Sequence, residues 1–313
     1  MLARLRDIPG LEICKNVPLS GLTRFGLGGP ACVLADASTE EALAAALDVV
    51  RGAACPYALA GGGTNLIASD AGFPGAVLRY TANRIEVDDH RIVVEAGAVL
   101  QHLVDFSIAR GLKGLETMTG IPGWTGGAVY GNAGAYGHSI QERIEWVRFY
   151  DGRRCREIGN AECDFRYRES VFKARKGWIV VAAGLRMEAG DEDQLRTTAE
   201  GILRIRNEKY PPSMRCAGSI FKNLLLADLP ECVRAMIPPT VIREGKVPSA
   251  YFLEQVGAKG MANGPIVVAG YHANLIYNTG GGTARQLREL IRELKLRVKA
   301  AYAIELEEEV QHL

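Results

Sequence analysis

Apolar residues recur at helical spacing in three parts of the chain. Residues 38–50 open with Ser38 and with Glu41 three positions on, a capping-box pattern, and continue rich in Ala and Leu. In 99–110, Leu100, Leu103, Val104 and Ile108 share one face and Gly111 supplies a stop. In 285–301, Leu287, Leu290, Ile291, Leu294 and Val298 form one stripe among Lys, Arg and Glu; Thr283 precedes it, with Gln286 three positions on. Short apolar runs at 57–60, 76–80, 91–97, 178–187 and 265–270 predict strands. Strands and helices mix without strict βαβ alternation, which predicts an α+β fold. The charge-rich stretch 190–213 predicts a surface helix ending at Pro211-Pro212, where an N-terminal body gives way to a smaller second domain.

Composition narrows the function classes. A chain of 313 residues, 48% hydrophobic and 23% charged, is long enough for two or three domains with a sizeable core. A net charge of +1 provides no broad basic field, so neither nucleic acid nor an anionic membrane is the expected partner. The cysteines at 14, 32, 55, 155, 163, 216 and 232 are scattered and form no C-x-x-C pair. That argues against a disulfide framework or a zinc site and suits a reducing cytoplasm. The histidines lack ligand spacing, so no metal site is expected. The N-terminus has no apolar signal-peptide core. Residues 117–141 carry no Asp, Glu, Lys or Arg, but their glycines and Asn132 would make a poor spanning helix. No G-x-S-x-G elbow is present.

That uncharged run contains GIPGWTGGAVYGNAGAYG, residues 120–137. A fixed glycine costs chain entropy, so a dense ordered run needs a reason. A second glycine segment, Gly61-Gly62-Gly63-Thr64-Asn65, follows an apolar strand. Successive glycines let backbone N–H groups converge on an anion such as phosphate. The Rossmann pattern does not apply, because Gly72 and Pro74 would break the helix it requires. Two charge-free glycine segments suit a large flat ligand with a pyrophosphate; they also suit close strand packing or a loop.

Three segments carry candidate chemistry. In RYRESVF (166–172), Arg168 suits a two-pronged grip on a carboxylate, or an ion pair with Glu169. In CAGSIFKN (216–223), Ser219 offers a hydroxyl beside a tight backbone, with Lys222 and Asn223 ready for an anion or amide. In IELEEEV (304–310), alternation sends Ile304, Leu306 and Glu308 one way and Glu305, Glu307 and Glu309 the other.

In order, TRFGLGGPA (23–31), AGGGTNLI (60–67), the 120–137 run, FRYRESVFK (165–173), AGSIFKN (217–223) and LEEEV (306–310) cover nearly the whole chain. Together they resemble the UDP-N-acetylenolpyruvoylglucosamine reductase family. The resemblance implies a vanillyl-alcohol-oxidase-type FAD-binding fold of two α+β subdomains, 1–82 and 83–207, with a smaller α+β substrate domain at 208–299. Residues 300–313 would return to the site.

The resemblance also implies FAD and NADPH as cofactors, with FAD held by Gly61, Gly62, Gly63, Thr64, Asn65, Gly120, Ile121, Pro122, Gly123, Gly126, Gly127, Ala128 and the backbone near Val180. Ser219 would give the proton, and Arg168 and Glu309 would flank the substrate carboxylate. Glu309 helps there only if it is protonated or hydrogen-bonded, so burial is expected. Tyr167, Lys222 and Asn223 would bind substrate. The resemblance implies a cytoplasmic enzyme of peptidoglycan precursor synthesis acting on small molecules, with a monomer as the expected state. The alternative is another FAD-dependent oxidase or dehydrogenase of the same fold. Leu224 and Glu308 stand where the family usually has proline, and Gly131 where Met is common. Between Met187 and Ser219 there is no room for an inserted tyrosine-bearing loop, so the chain resembles the shorter subclass.

Overall fold

The Ile179–Arg186 strand is apolar at most positions and buried along most of its length, and it lies at the centre of an antiparallel sheet. The computed structural model describes residues 1–313. The sheet order is Cys155–Gly159, Ile144–Tyr150, Ile179–Arg186, Arg91–Glu95, Ile85–Asp88. A second sheet orders Leu11–Pro18, Pro30–Ala37, Phe73–Tyr80 and Tyr57–Leu59, with Pro30–Ala37 and Tyr57–Leu59 each parallel to Phe73–Tyr80. These mixed sheets with flanking helices make the fold α+β.

The chain divides into two compact units. The first comprises 1–17, 31–63 and 73–211, and holds both sheets. Its core includes Leu103, Val104, Val129, Phe149, Phe172, Val181 and Leu185. Phe149 stacks on Trp178 at 4.3 Å and meets Phe172 edge-on at 5.5 Å. The second comprises 18–30, 64–72 and 212–313. It contains the antiparallel strands Ala262–Asn263, Ile266–Val268 and Ile276–Asn278, and the helices Ser249–Gln255 and Ala284–Tyr302.

The apolar stripes sit on helices close to their expected bounds: Glu40–Gly52, Leu100–Ile108 and Ala284–Tyr302. The charged stretch forms the Glu192–Lys209 helix, capped by Asp191. One cap differs from expectation. Thr39, not Ser38, accepts from Ala42 N (3.1 Å), because the Ser38 hydroxyl is committed to Gly10 O at 2.9 Å. Thr283 and Gln286 do form a capping box. The Asp70 carboxylate adds bonds from Ala284 N (2.7 Å) and Arg285 N (2.8 Å), occupying further open N–H groups of that helix.

Candidate active site

In the first unit the two glycine segments meet. The Trp124 ring lies against Gly62, where an added Cβ would stand 3.1 Å from Cδ1. The Arg79 guanidinium lies 5.4 Å from the centre of the same ring, and Asp36 fixes it. The short helix Thr125–Tyr130 begins directly after Trp124. Its start is tied down by Thr125 N to Ala98 O (2.8 Å) and Gly126 N to Ala96 O (2.8 Å). Ala96 N in turn bonds Val181 O at 2.9 Å, beside a bulge where the pairing of the Ile179–Arg186 strand slips near Val180. The residues around 61–63, 123–128 and 180 are therefore joined by direct contacts.

The glycines of this run serve different ends. A Cβ on Gly126 would stand 2.7 Å from Ala96 Cβ, so glycine there lets the helix seat on the sheet. A Cβ on Gly120 would press on Arg206 and Leu203 at 3.1–3.2 Å. A Cβ on Gly127 would meet nothing within 4 Å, and one on Gly61 only Trp124 at 3.9 Å. The backbone at Gly61 and Gly127 is thus open on the side a side chain would cover, and no charged residue intervenes within the run. Such an uncharged, backbone-lined surface fits a flat cofactor of the FAD type.

The later part of the same run holds the Arg168 turn. Arg166 and Glu169 exchange backbone bonds at 3.1 Å each, leaving Tyr167 and Arg168 at the tip. Asn132, 2% exposed, donates to Arg166 O (2.9 Å) and Gln141 Oε1 (3.1 Å). Ser170 Oγ donates to Tyr130 O at 2.7 Å, and Lys173 Nζ to Arg168 O at 2.8 Å. Arg168 has φ +58°, a left-handed conformation that costs a non-glycine residue about 1 kcal/mol. A glycine would sit there without that cost. The guanidinium stacks 5.3 Å from the Tyr167 ring centre and donates to Gly134 O at 3.1 Å. Arg168 and Tyr167 are half-buried.

In the second unit, the segment around Ser219 pairs with two stretches of backbone. Ser219 bridges Leu275, and Phe221 bridges Glu308. Lys222 N donates to Glu307 O (2.9 Å), and Glu309 N donates to Ile220 O (2.7 Å). Lys222 is 7% exposed, and its ammonium meets Glu307 Oε1 at 2.5 Å. Ser219, Asn223 and Glu309 are half-buried; for Glu309 this falls short of the burial its sequence role suggests. Asn65 Nδ2 donates to Glu309 O at 2.9 Å, and Gln311–His312 pairs in parallel with Leu66–Ile67, so the 65–67 stretch is tied to the acidic tail within the second unit.

Glu308, where the family usually has proline, points the other way. It binds His312 Nε2 at 2.8 Å and Lys295 Nζ at 2.9 Å, and these partners, His312 first, draw its pKa down to about 2. Side-chain bonds to His312 and Lys295 thus hold Glu308 at the position where a proline would stiffen the backbone. Leu224 enters a short ladder with Val247. Gly131 follows the short helix as its C-cap, with its nearest neighbour 3.5 Å from an added Cβ, so a side chain fits there.

The sequence pattern does not single out Trp124, Arg79 or Asn132, which hold the recognised motifs in place. Their partners lie far along the chain, and the one usable signal, a buried amide, appears only once the fold is formed.

Residues 30–153 match the model of a FAD binding domain, and residues 210–313 match that of the C-terminal domain of UDP-N-acetylenolpyruvoylglucosamine reductase. The chain is 56% identical over 310 residues to the UDP-N-acetylenolpyruvoylglucosamine reductase of Solibacter usitatus, covering 99% of both proteins. It is 35% identical to that of Heliobacterium modesticaldum, covering 98% of this chain and 92% of the relative. Among solved structures it resembles the reductase of that name from Thermus caldophilus, with a TM-score of 0.74, 29% identity, and 96% and 98% of the two chains covered. No helix is long and apolar enough to cross a membrane. Identity on this scale over nearly the full length, together with the glycine surface and the Arg168 and Ser219 segments, places the chain in the UDP-N-acetylenolpyruvoylglucosamine reductase family.

Proposed function

We propose that this chain reduces the enolpyruvyl group of UDP-N-acetylglucosamine enolpyruvate to the lactyl ether of UDP-N-acetylmuramate, using electrons from NADPH, in the supply of peptidoglycan precursors. Residues 61–65, 120–123 and 126–128, with the backbone near Val180, would hold FAD. When bound, that cofactor supplies hydride transfer from N5 to the vinyl carbon.

The chain's own residues do the rest. Hydride addition leaves enolate-like charge on the substrate carboxylate and its neighbouring carbon, and that charge must be stabilised before protonation. Arg168 grips the carboxylate and offsets the charge, and Glu309 lies along the same group. The Ser219 hydroxyl gives its proton to the carbon adjacent to the vinyl terminus. A serine is a weak acid, and Lys222, three residues on, is the neighbouring group that would assist the transfer, sharing its ammonium with Glu307. Tyr167 and Asn223 complete the contacts to substrate. The left-handed, multiply anchored Arg168 is the single observation that carries this reading. We take 1–82 and 83–207 as the two FAD-binding subdomains and 208–299 as the substrate domain, working as a cytoplasmic monomer.

Purified protein mixed anaerobically with NADPH and then with UDP-N-acetylglucosamine enolpyruvate tests the assignment. The flavin spectrum should bleach with the first and return with the second. Flavin that bleaches but never returns would favour a different oxidoreductase of this fold. A colourless protein that takes up no FAD would overturn the reading.

A further inference from the structure

Asn274 lies outside every motif that carries the family resemblance. It is 2% exposed, and its carboxamide is spent on the backbone beside Ser219. Oδ1 accepts from Phe221 N at 2.9 Å, and Nδ2 donates to Phe221 O at 2.9 Å. The second Nδ2 proton goes to Ser249 Oγ at 2.7 Å. Ser249, 0% exposed, passes its own proton to Phe221 O at 3.3 Å. Ile220 N donates to Asn274 O at 3.1 Å.

The arrangement answers a local need. Residues 215–221 form no continuous strand; their strand-type pairing is limited to the isolated Arg215–Asn278, Ser219–Leu275 and Phe221–Glu308 bridges. Ile220 O and Lys222 N bond the acidic tail, so the N–H and C=O of Phe221 face the opposite way. Phe221 is 1% exposed, and those groups would be buried without partners. The Asn274 carboxamide takes the place of a neighbouring strand's peptide group and satisfies both.

We propose that Asn274, backed by Ser249, is a positioning residue for proton delivery, clamping Phe221 so that Ser219 two residues before it and Lys222 one after it are held toward the reacting carbon. The inference rests on the reading of Ser219 as proton donor. A displacement of about 1 Å in such a donor is enough to slow a reaction on the order of 100-fold.

A double-mutant cycle tests it in the FAD-loaded protein. With Asn274→Ala, reduction by NADPH should keep its rate while reoxidation by the enolpyruvyl substrate slows about 100-fold. In a Ser219→Ala background the same change should slow reoxidation less than about threefold further, since the group it positions is gone. Amide exchange should quicken at Phe221 while the Ala284–Tyr302 helix keeps its protection. Equal slowing in both backgrounds, or no slowing in the first, would overturn the proposal. Should Asn274→Ala not fold, Ser249→Ala leaves both Asn274–Phe221 bonds in place and is expected to slow reoxidation about fivefold; a folded Ser249→Ala protein of full rate overturns it. Normal reoxidation by Ser219→Ala alone would instead sink the proton-donor reading, and the inference with it.

Discussion

Arg168 and Ser219 are held by opposite strategies. The Arg168 turn closes on itself: Arg166 pairs with Glu169, and Lys173 reaches back to Arg168 O. It accepts a left-handed residue and is then bolted to the 130–134 stretch through Ser170, Asn132 and Gly134. The Ser219 segment has hardly any local structure. Its backbone bonds run to Asn274, 53 residues away in the case of Phe221, and to 307–309. One site stores strain in a short loop and restrains it; the other spreads relaxed backbone over distant partners. A local turn can be damaged by one substitution in its own neighbourhood. A distributed segment is sensitive to residues that no motif marks.

The largest effect that would separate the two is chemical. Ser219→Ala should leave flavin reduction by NADPH intact and slow reoxidation by the enolpyruvyl substrate about 1,000-fold in stopped flow. Arg168→Lys keeps the charge but loses the planar fork, and it should lower kcat/KM about 100-fold with unchanged melting. If Arg168→Lys behaved as wild type, strain at that turn would need another explanation.

Next come the glycines. Gly127→Leu should weaken FAD binding at least tenfold in titration while Tm shifts little, because the space beside Gly127 is open. Gly126→Leu should instead lose about 3 kcal/mol or more of stability, since its Cβ meets Ala96. The same result for both would erase the distinction between a glycine whose Cβ position is filled by Ala96 and one whose Cβ position is open.

The smallest effect is on the tail that supports Ser219. Glu308 has its pKa lowered to about 2 by His312 and Lys295, against an ordinary value near 4.5. A depressed carboxyl stabilises the fold above its unfolded pKa, and that contribution fades as pH falls from 4.5 through 2. Allowing for its partial exposure, Glu308→Gln should cost about 2 kcal/mol at pH 7, and the gap from wild type should close by pH 2 in denaturant titrations.

The same contrast explains what could be read from sequence. RYRES stands out through the family resemblance, and its turn emerges only with the fold, whereas the helices 100–108 and 284–302 are legible because their stripes obey one period. The strand runs, the two glycine segments and the SIFKN and EEEV segments likewise mark themselves by composition. The different tasks of Gly126 and Gly127 cannot be read, because Ala96 approaches only in the folded sheet. Ser38 mimics a cap because nothing nearby in sequence announces Gly10. Asn274 and Asn132 look like ordinary polar residues until tertiary structure buries them.

The link between Leu66–Ile67 and Gln311–His312 has a consequence for biosynthesis. Ser69 N bonds Leu313 O, and Asn65 reaches Glu309 O across 244 residues of chain. A polypeptide emerging from the ribosome N-terminus first therefore carries residues 64–69 without these partners until 309–313 have been translated. A message truncated before codon 309 yields a product lacking both Glu309 and the strand that pairs with Leu66–Ile67, so loss of the candidate chemistry and exposure of an open edge to proteases coincide. Synthesis of 309–313 must thus precede the pairing of the 65–69 stretch.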